Sequence, residues 1–306
     1  MQSVGREDIR RALAEVGVQP GQVVYLQADL STVGRVVGAA TREAFCAAYL
    51  DALFDLLGPD GTVAMPTYTT QVARFDQAFV WEETPTVLGL LPEYLRTRPG
   101  AVRSIHPLHS VTALGAAAER LCSGNSTASF GWHSPFHRLY DSGAKILTIG
   151  LPSGYAAGIA HHLEAACALP YVYNKLLKWK PIVGGRPVDK PFTATVRHLD
   201  LDFNYDLARH VRHLRHQGWV RSGRLGGAWL HLTDYRVAFD EATARLADDP
   251  FYLLVKPPEF TWGRIPFDGA TAGRDEVAAA TGAANWAGFY LLNSANPGGD
   301  EADLAG

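Results

Sequence analysis

The sequence predicts an α/β protein: a three-layer sandwich whose central sheet, mostly parallel or mixed, carries helices on both faces. Two observations lead there. Short, largely apolar runs at Val23–Leu26, Gly61–Pro66 and Lys145–Leu151 have the length and composition of strands buried on both faces. Between them lie segments with the 3.6-residue spacing of amphipathic helices, and strands alternating with helices give this architecture.

Composition narrows the class of function. At 306 residues the chain can bury a full core, and 47% apolar with 19% charged residues is ordinary for a soluble globular protein. A net charge of -3 offers no basic surplus for nucleic acid or an anionic membrane, so small molecules are the expected partners. Cys46, Cys122 and Cys167 are far apart and odd in number, as suits reduced, buried thiols. Met1–Asp8 carries charges where a secretion signal needs its apolar core, and no run approaches the roughly 20 apolar residues of a membrane span, so a cytoplasmic location is expected. The glycine-rich nucleotide motifs, Gly-x-Ser-x-Gly and His-Glu-x-x-His are all missing from the sequence, which removes the commonest dinucleotide, nucleotide, serine-hydrolase and zincin assignments.

In chain order, Ser3 to Val16 reads as an amphipathic helix with Ile9, Leu13 and Val16 on one face and Gly17 as its stop. The Val23–Leu26 strand runs into a polar, glycine-punctuated loop, Gln27 to Gly38, whose backbone N–H groups suit an anion. Thr41 caps a helix that continues to Leu57 and stops at Gly58-Pro59-Asp60-Gly61. The Gly61–Pro66 strand delivers Thr67-Tyr68-Thr69-Thr70 at its carboxyl end, where ligands gather in open α/β sheets. Gln71 to Thr86 looks irregular, with several aromatics and the acidic pair Glu82 and Glu83, and suits a lid or substrate wall. A short helix, Leu88–Leu95, follows. Arg103 to Gly115 joins a His-bearing turn to a strand; taken alone, it is a turn with a capping Ser and a histidine satisfied in the core. Ala116–Cys122 is helical, Gly131–Phe136 is an aromatic loop and Lys145–Leu151 is the next buried strand.

Beyond Tyr171 the chain turns basic and aromatic, with Lys175, Lys178, Trp179 and Lys180. Thr193–Leu201 alternates like a half-exposed strand, Tyr205–Gln217 is a helix, Val220–Leu232 a hairpin through Gly226-Gly227, and Phe239–Leu246 the last helix. His210, His213 and His216 recur at intervals of three, but Arg209, Arg212 and Arg215 surround them with no neighbouring carboxylate or Cys. A solvated face is expected there, and no metal site. After Pro257-Pro258 the composition shifts to Gly, Ala and Asn, and Asn296–Gly306 reads as disordered.

The stretch with the clearest chemistry is Gly158 to Leu169, a helix that Pro170 cannot continue. It sets His161 and Glu164 three residues apart on one face. A carboxylate there can orient the imidazole, raise its basicity and stabilise imidazolium, as a general base near neutral pH requires.

Taken together and in this order, several pieces resemble one family. They are Leu30-Ser31-Thr32-Val33-Gly34, Gly61 to Thr67, Pro85 to Glu93, Arg103-Ser104-Ile105-His106-Pro107-Leu108-His109-Ser110, Ser134-Pro135-Phe136, Lys145 to Gly150, the His161/Glu164 pair and Leu225-Gly226-Gly227-Ala228. The chain resembles the aminoglycoside 3-N-acetyltransferases, antibiotic acetyltransferases unrelated in fold to the GCN5-like enzymes. The resemblance implies a catalytic domain over residues 1–257 with a C-terminal extension over 258–306. It implies an acyl-CoA-dependent N-acyltransferase that uses acetyl-CoA or another acyl-CoA, needs no metal, and acts on an aminoglycoside, aminosugar or other small amine of secondary metabolism. Resistance and biosynthetic roles are both open, as is an oligomeric state. His161 would match the catalytic histidine and Glu164 its supporting acid. The loop at Ser31, Thr32, Val33 and Gly34 would receive CoA, with Arg103 and Ser110 as a second CoA-contacting segment. Tyr68, Glu82 and Asp200 are the candidates for the acceptor. Two departures stand out. Gln27-Ala28-Asp29 replaces a His-Ser-Ser-like run, and Gly158 stands where a Thr commonly precedes the histidine. Lys175, Lys178 and Lys180 follow the catalytic helix where a polycationic acceptor would favour carboxylates. The alternatives are a binding protein that kept the fold and lost turnover, and a hydrolase of thioesters or amides.

Overall fold

A computed structural model describes residues 3–151, 157–198 and 201–260. The chain opens with β1 (Ser3–Val4) and α1 (Arg6–Glu15), shorter at its start than the sequence suggests because Gly5 caps it and receives the Asp8 carboxylate on its N–H at 2.8 Å. β2 (Val23–Ala28) leads through a 3₁₀ turn at Leu30–Thr32 to β3 (Arg35–Val36), which pairs in parallel with β1. α2 (Arg42–Leu57) starts where Thr41 Oγ1 accepts the Ala44 N–H at 3.1 Å. β4 (Thr62–Pro66), α3 (Gln71–Arg74), α4 (Leu90–Arg96), β5 (Val102–Arg103) and β6 (Val111–Gly115) follow.

Next come α5 (Ala118–Cys122) and α6 (Pro135–Asp141). The second begins inside the expected aromatic loop, because Ser134 accepts from the His137 N–H and Pro135 supplies a preset first-turn φ. β7 (Lys145–Ile149) precedes α7 (Ala157–Ala166). The basic stretch then forms β8 (Val172–Leu176), β9 (Ile182–Val183) and β10 (Arg186–Pro187), and β11 (Thr193–Arg197) returns antiparallel along β8 as a ribbon outside the main sheet. α8 (Leu207–His216), β12 (Val220–Leu225), β13 (Ala228–Asp234) and α9 (Tyr235–Asp248) complete the described chain.

Seven strands form the central sheet in the order β12-β13-β7-β2-β4-β6-β5. Only the middle three, β7-β2-β4, run parallel; both flanks are antiparallel, so the sheet is mixed. Alternation along β2 explains the two cores. Val24 and Leu26 point to the face covered by α1, α2 and α4, among Leu13, Leu53 and Leu91, while Tyr25 points to the face of α5, α6, α7 and α9, among Leu139, Leu163 and Ala242. β2 has β4 on one side and β7 on the other. The helix after β2 packs on one face and the helix after β7 on the opposite one, so the carboxyl ends of β2 and β7 open onto a switch-point crevice. A third cluster, with Phe79, Leu108, Phe192 and Val196, seats the β8–β11 ribbon beside it. Among the described residues no helix is long and apolar enough to cross a membrane.

Candidate active site

Helix α7 carries the pair that its sequence spacing predicts. His161 Nδ1 lies 2.7 Å from Glu164 Oε2, with the imidazole 33% exposed and the carboxylate 2% exposed. An ionised Glu164 places the ring hydrogen on Nδ1 and leaves the Nε2 lone pair for a proton. The other carboxylate oxygen is also held: the Tyr205 hydroxyl donates to Oε1 at 2.6 Å. Around the ring stand Phe130, at 5.4 Å between centroids, and Tyr205, edge-on at 6.2 Å. Phe130 also stacks on His109 at 4.9 Å, and His109 meets Tyr68 at 5.1 Å. The neighbouring His162 turns away from this wall. It is 3% exposed, 3.0 Å from the Tyr235 hydroxyl and packed on Phe239, and burial holds it down at about 3.

Gly158 sits one turn before His161 on the same face. A methyl there would collide with the Tyr25 hydroxyl and come within 2.7 Å of Phe136 Cε1, so glycine is what lets Tyr25 of β2 and Phe136 of α6 press against the helix start.

The Arg103–Ser110 turn is directed inward. Arg103 is 4% exposed and spends its guanidinium on Ser110 Oγ (3.0 Å), Thr84 O (2.7 Å), Trp81 O (3.2 Å) and Thr67 O (3.2 Å), and burial lowers its pKa to about 9. Ser110 is fully buried and donates to Thr67 O at 2.7 Å. His106 is satisfied as the isolated turn suggests: Nδ1 accepts from the Leu108 and His109 amides, which leaves its hydrogen on Nε2 facing Thr193 O at 3.0 Å. His109 differs, since its Nδ1 is buried without a partner, and burial followed by its histidine neighbours pushes it well below the usual range.

The loop after β2 faces a cleft of about 580 Å³ bounded by Ala28 to Ser31, Gly34, Phe45 and Leu88 to Pro92. Within the loop, Asp29 accepts from the Ser31 amide (3.0 Å) and hydroxyl (2.6 Å), so that amide already has an anion of the protein's own. Val33 is buried, Ser31 and Thr32 are exposed, and Gly34 has φ 109°. Behind the loop, Gly227 N donates to Val33 O at 3.2 Å, and a side chain at Gly226 would overlap that carbonyl, which explains the paired glycines of the β12–β13 turn. Glu82 is exposed and accepts from Gly184 N at 2.7 Å, and it is not among the residues that contact His161, which are Glu164, Phe130 and Tyr205; Asp200 lies outside the described residues.

A family model described as aminoglycoside 3-N-acetyltransferase matches residues 26–247. The chain belongs to that family. Aminoglycoside N(3)-acetyltransferase VII of Streptomyces paromomycinus is 31% identical to it, across 79% of this chain and 91% of that one. Aminoglycoside N(3)-acetyltransferase IX of Micromonospora chalcea is 28% identical, across 78% and 92%. The crystal structure of aminoglycoside acetyltransferase AAC(3)-Xa superimposes with a TM-score of 0.69 at 28% identity, covering 82% of this chain and 94% of its own. The AAC-IIIb binary structure with CoASH gives 0.68 at 23% identity over 81% and 97%, a likeness of fold. This aminoglycoside 3-N-acetyltransferase family member is thus an acyltransferase. The contact between His161 and Glu164 follows from their spacing in the sequence, whereas the bond from Tyr205 does not, since Tyr205 reads as the start of α8 and lies 41 residues from Glu164. It also treated the α8 histidines as one solvated face. His210 is instead fully buried and bonded to Ala238 O at 2.9 Å, and Glu241 of α9 meets His213 at 3.1 Å, because α9 packs beside α8. Among the described residues no group of three or more His, Cys, Asp or Glu could hold a metal ion.

Proposed function

We propose that the protein transfers an acyl group, with acetyl as the first donor to test, from CoA to an amino group of an aminoglycoside, aminosugar or related small amine, and that His161 is the general base. The observation that carries this reading is the 2.7 Å contact from a half-buried imidazole to a buried carboxylate on α7, the helix that follows β7. His161 Nε2 takes the proton of the acceptor amine as its nitrogen attacks the thioester carbonyl. The tetrahedral intermediate collapses by breaking the C–S bond, and the imidazolium returns the proton to the leaving thiolate. Glu164 keeps the ring in the productive tautomer and stabilises its charged form.

For the donor, the cleft lined by Ser31 and Gly34 supports a CoA lying across the Ser31, Thr32, Val33 and Gly34 loop, although Thr32 and Val33 do not line it. AAC-IIIb, of similar fold, was solved with CoASH, and AAC-VIa, also of similar fold, bound to sisomicin. Arg103 and Ser110 serve this site as an inward brace that fixes the carboxyl end of β4, where Tyr68 stands, rather than as phosphate ligands. Gly34→Val should weaken CoA, because the φ of 109° strains a branched residue and its side chain would enter the backbone approach. Equal calorimetric affinities for wild type and variant would remove CoA from this loop. The activity itself is tested by thiol release from acetyl-CoA with a panel of aminoglycosides, aminosugars and simpler amines. Release that requires an amine supports transfer; release without one points to hydrolysis, and none with any amine points to a binding protein.

A further inference from the structure

We propose that Tyr205 is a positioning residue of the catalytic pair, a hydroxyl clamp on Glu164 that sets how strongly the carboxylate acts on His161. This rests on His161 being the base. Among the described residues the Glu164 carboxylate has two side-chain donors, one on each oxygen: His161 Nδ1 on Oε2 at 2.7 Å and the Tyr205 hydroxyl on Oε1 at 2.6 Å. A carboxylate only 2% exposed keeps its charge at a high desolvation cost, and each charge-assisted hydrogen bond lowers that cost. With one donor removed, the carboxylate would be free to turn about its terminal torsion, and the ring would turn with it.

Tyr205 is built to hold still. It pairs with Leu254 in an isolated antiparallel bridge, packs edge-to-face with Phe203 at 5.7 Å and meets the His161 ring in a T-shaped contact at 6.2 Å. Burial and the neighbouring Glu164 raise its pKa well above 10, so the phenol remains a donor throughout the working pH range. The clamp therefore joins the segment ahead of α8 to the chemistry on α7. The other groups facing the cluster are His109 beyond Phe130, Arg197 of β11 on the Tyr205 side, and Tyr171 near Glu164. None of them replaces the bond to Oε1.

By absorbing part of the Glu164 charge, the hydroxyl tempers the pull of the carboxylate on imidazolium. In Tyr205→Phe that pull is undiluted, so the acid limb of the kcat/KM profile moves to higher pH. Loss of a hydrogen bond to a charged group gives a fall in kcat of about tenfold, with KM for acetyl-CoA unchanged. In Glu164→Gln the further change Tyr205→Phe should cost almost nothing, because the clamp has no carboxylate to act through. The downfield Nδ1–H proton resonance of His161 should shift or broaden in Tyr205→Phe, a readout that needs no turnover. Should Tyr205→Phe melt early, 3-fluorotyrosine at 205, with a more acidic hydroxyl, moves the acid limb to lower pH instead. A wild-type kcat, pH profile and Nδ1–H resonance in Tyr205→Phe, or full additivity with Glu164→Gln, would overturn the clamp. Full activity in His161→Ala would instead remove the base it is meant to serve.

Discussion

His161→Ala should lower kcat by about 10²–10⁴-fold and leave CoA affinity unchanged, as loss of a general base does. Glu164→Gln should cost less, since the imidazole survives without its charged partner; steady-state kinetics and CoA calorimetry on the two variants check both statements. His162 is the contrast. Its ring fills the core between Phe136, Tyr235 and Phe239, so His162→Asn should cost about 1–3 kcal/mol of stability through lost packing and a lost hydrogen bond, read as a lower urea midpoint, while kcat per folded molecule stays at the wild-type value. The difference between these adjacent histidines was legible in the sequence, because one helical step turns a side chain about 100° and Glu164 marks the reactive face. Tyr205 and the buried His109 ring, whose Nδ1 has no partner, were not. Each reaches the site across a loop from another element, and no local period records such a meeting.

At the scale of elements, α7 depends on having no side chain at position 158. Gly158→Ala gains intrinsic helix propensity of about 1 kcal/mol but must push aside the buried Tyr25 hydroxyl and Phe136, an overpacking cost of about 1–3 kcal/mol. Calorimetry should show a Tm no higher than that of wild type, and a larger kcat effect than the stability loss explains, since the displaced start of α7 carries His161. The buried strands of the main sheet were readable because continuous apolar runs have few other uses. β8 was not: Val172–Leu176 carries Tyr, Asn and Lys on a ribbon whose faces are only partly covered, so its hydrophobic pattern is weak. α6 was hidden for a different reason. Its capping Ser134 and Pro135 also suit a turn, and the helix is only seven residues long, Pro135 included.

Over the whole molecule, buried histidines set the response to acid. Burial depresses His106, His210 and His231 to about 4 and His162 to about 3, and holds His109 well below 6.5. A group whose folded pKa is lowered binds its proton in the unfolded chain first, so this stability is present above pH 6.5 and is lost as pH falls from there toward 4. Each such group takes up an extra proton on unfolding as pH falls toward 5, and each contributes at most about 1.4 kcal/mol per pH unit. Urea titrations should show stability falling with a slope that steepens from pH 7 toward pH 5; a slope of one proton or less at pH 5 would mean these rings titrate in the folded state. The sheet order has its own consequence during synthesis. β7 can align on β2 as soon as it leaves the ribosome, but its other edge waits for β13, roughly 80 residues later, or about 4–16 s of translation. For that interval the nascent chain shows a central, apolar strand edge to every neighbour and chaperone it meets. A chain halted before Ala228 would keep the edge bare, so a truncated product should aggregate rather than persist as a smaller enzyme.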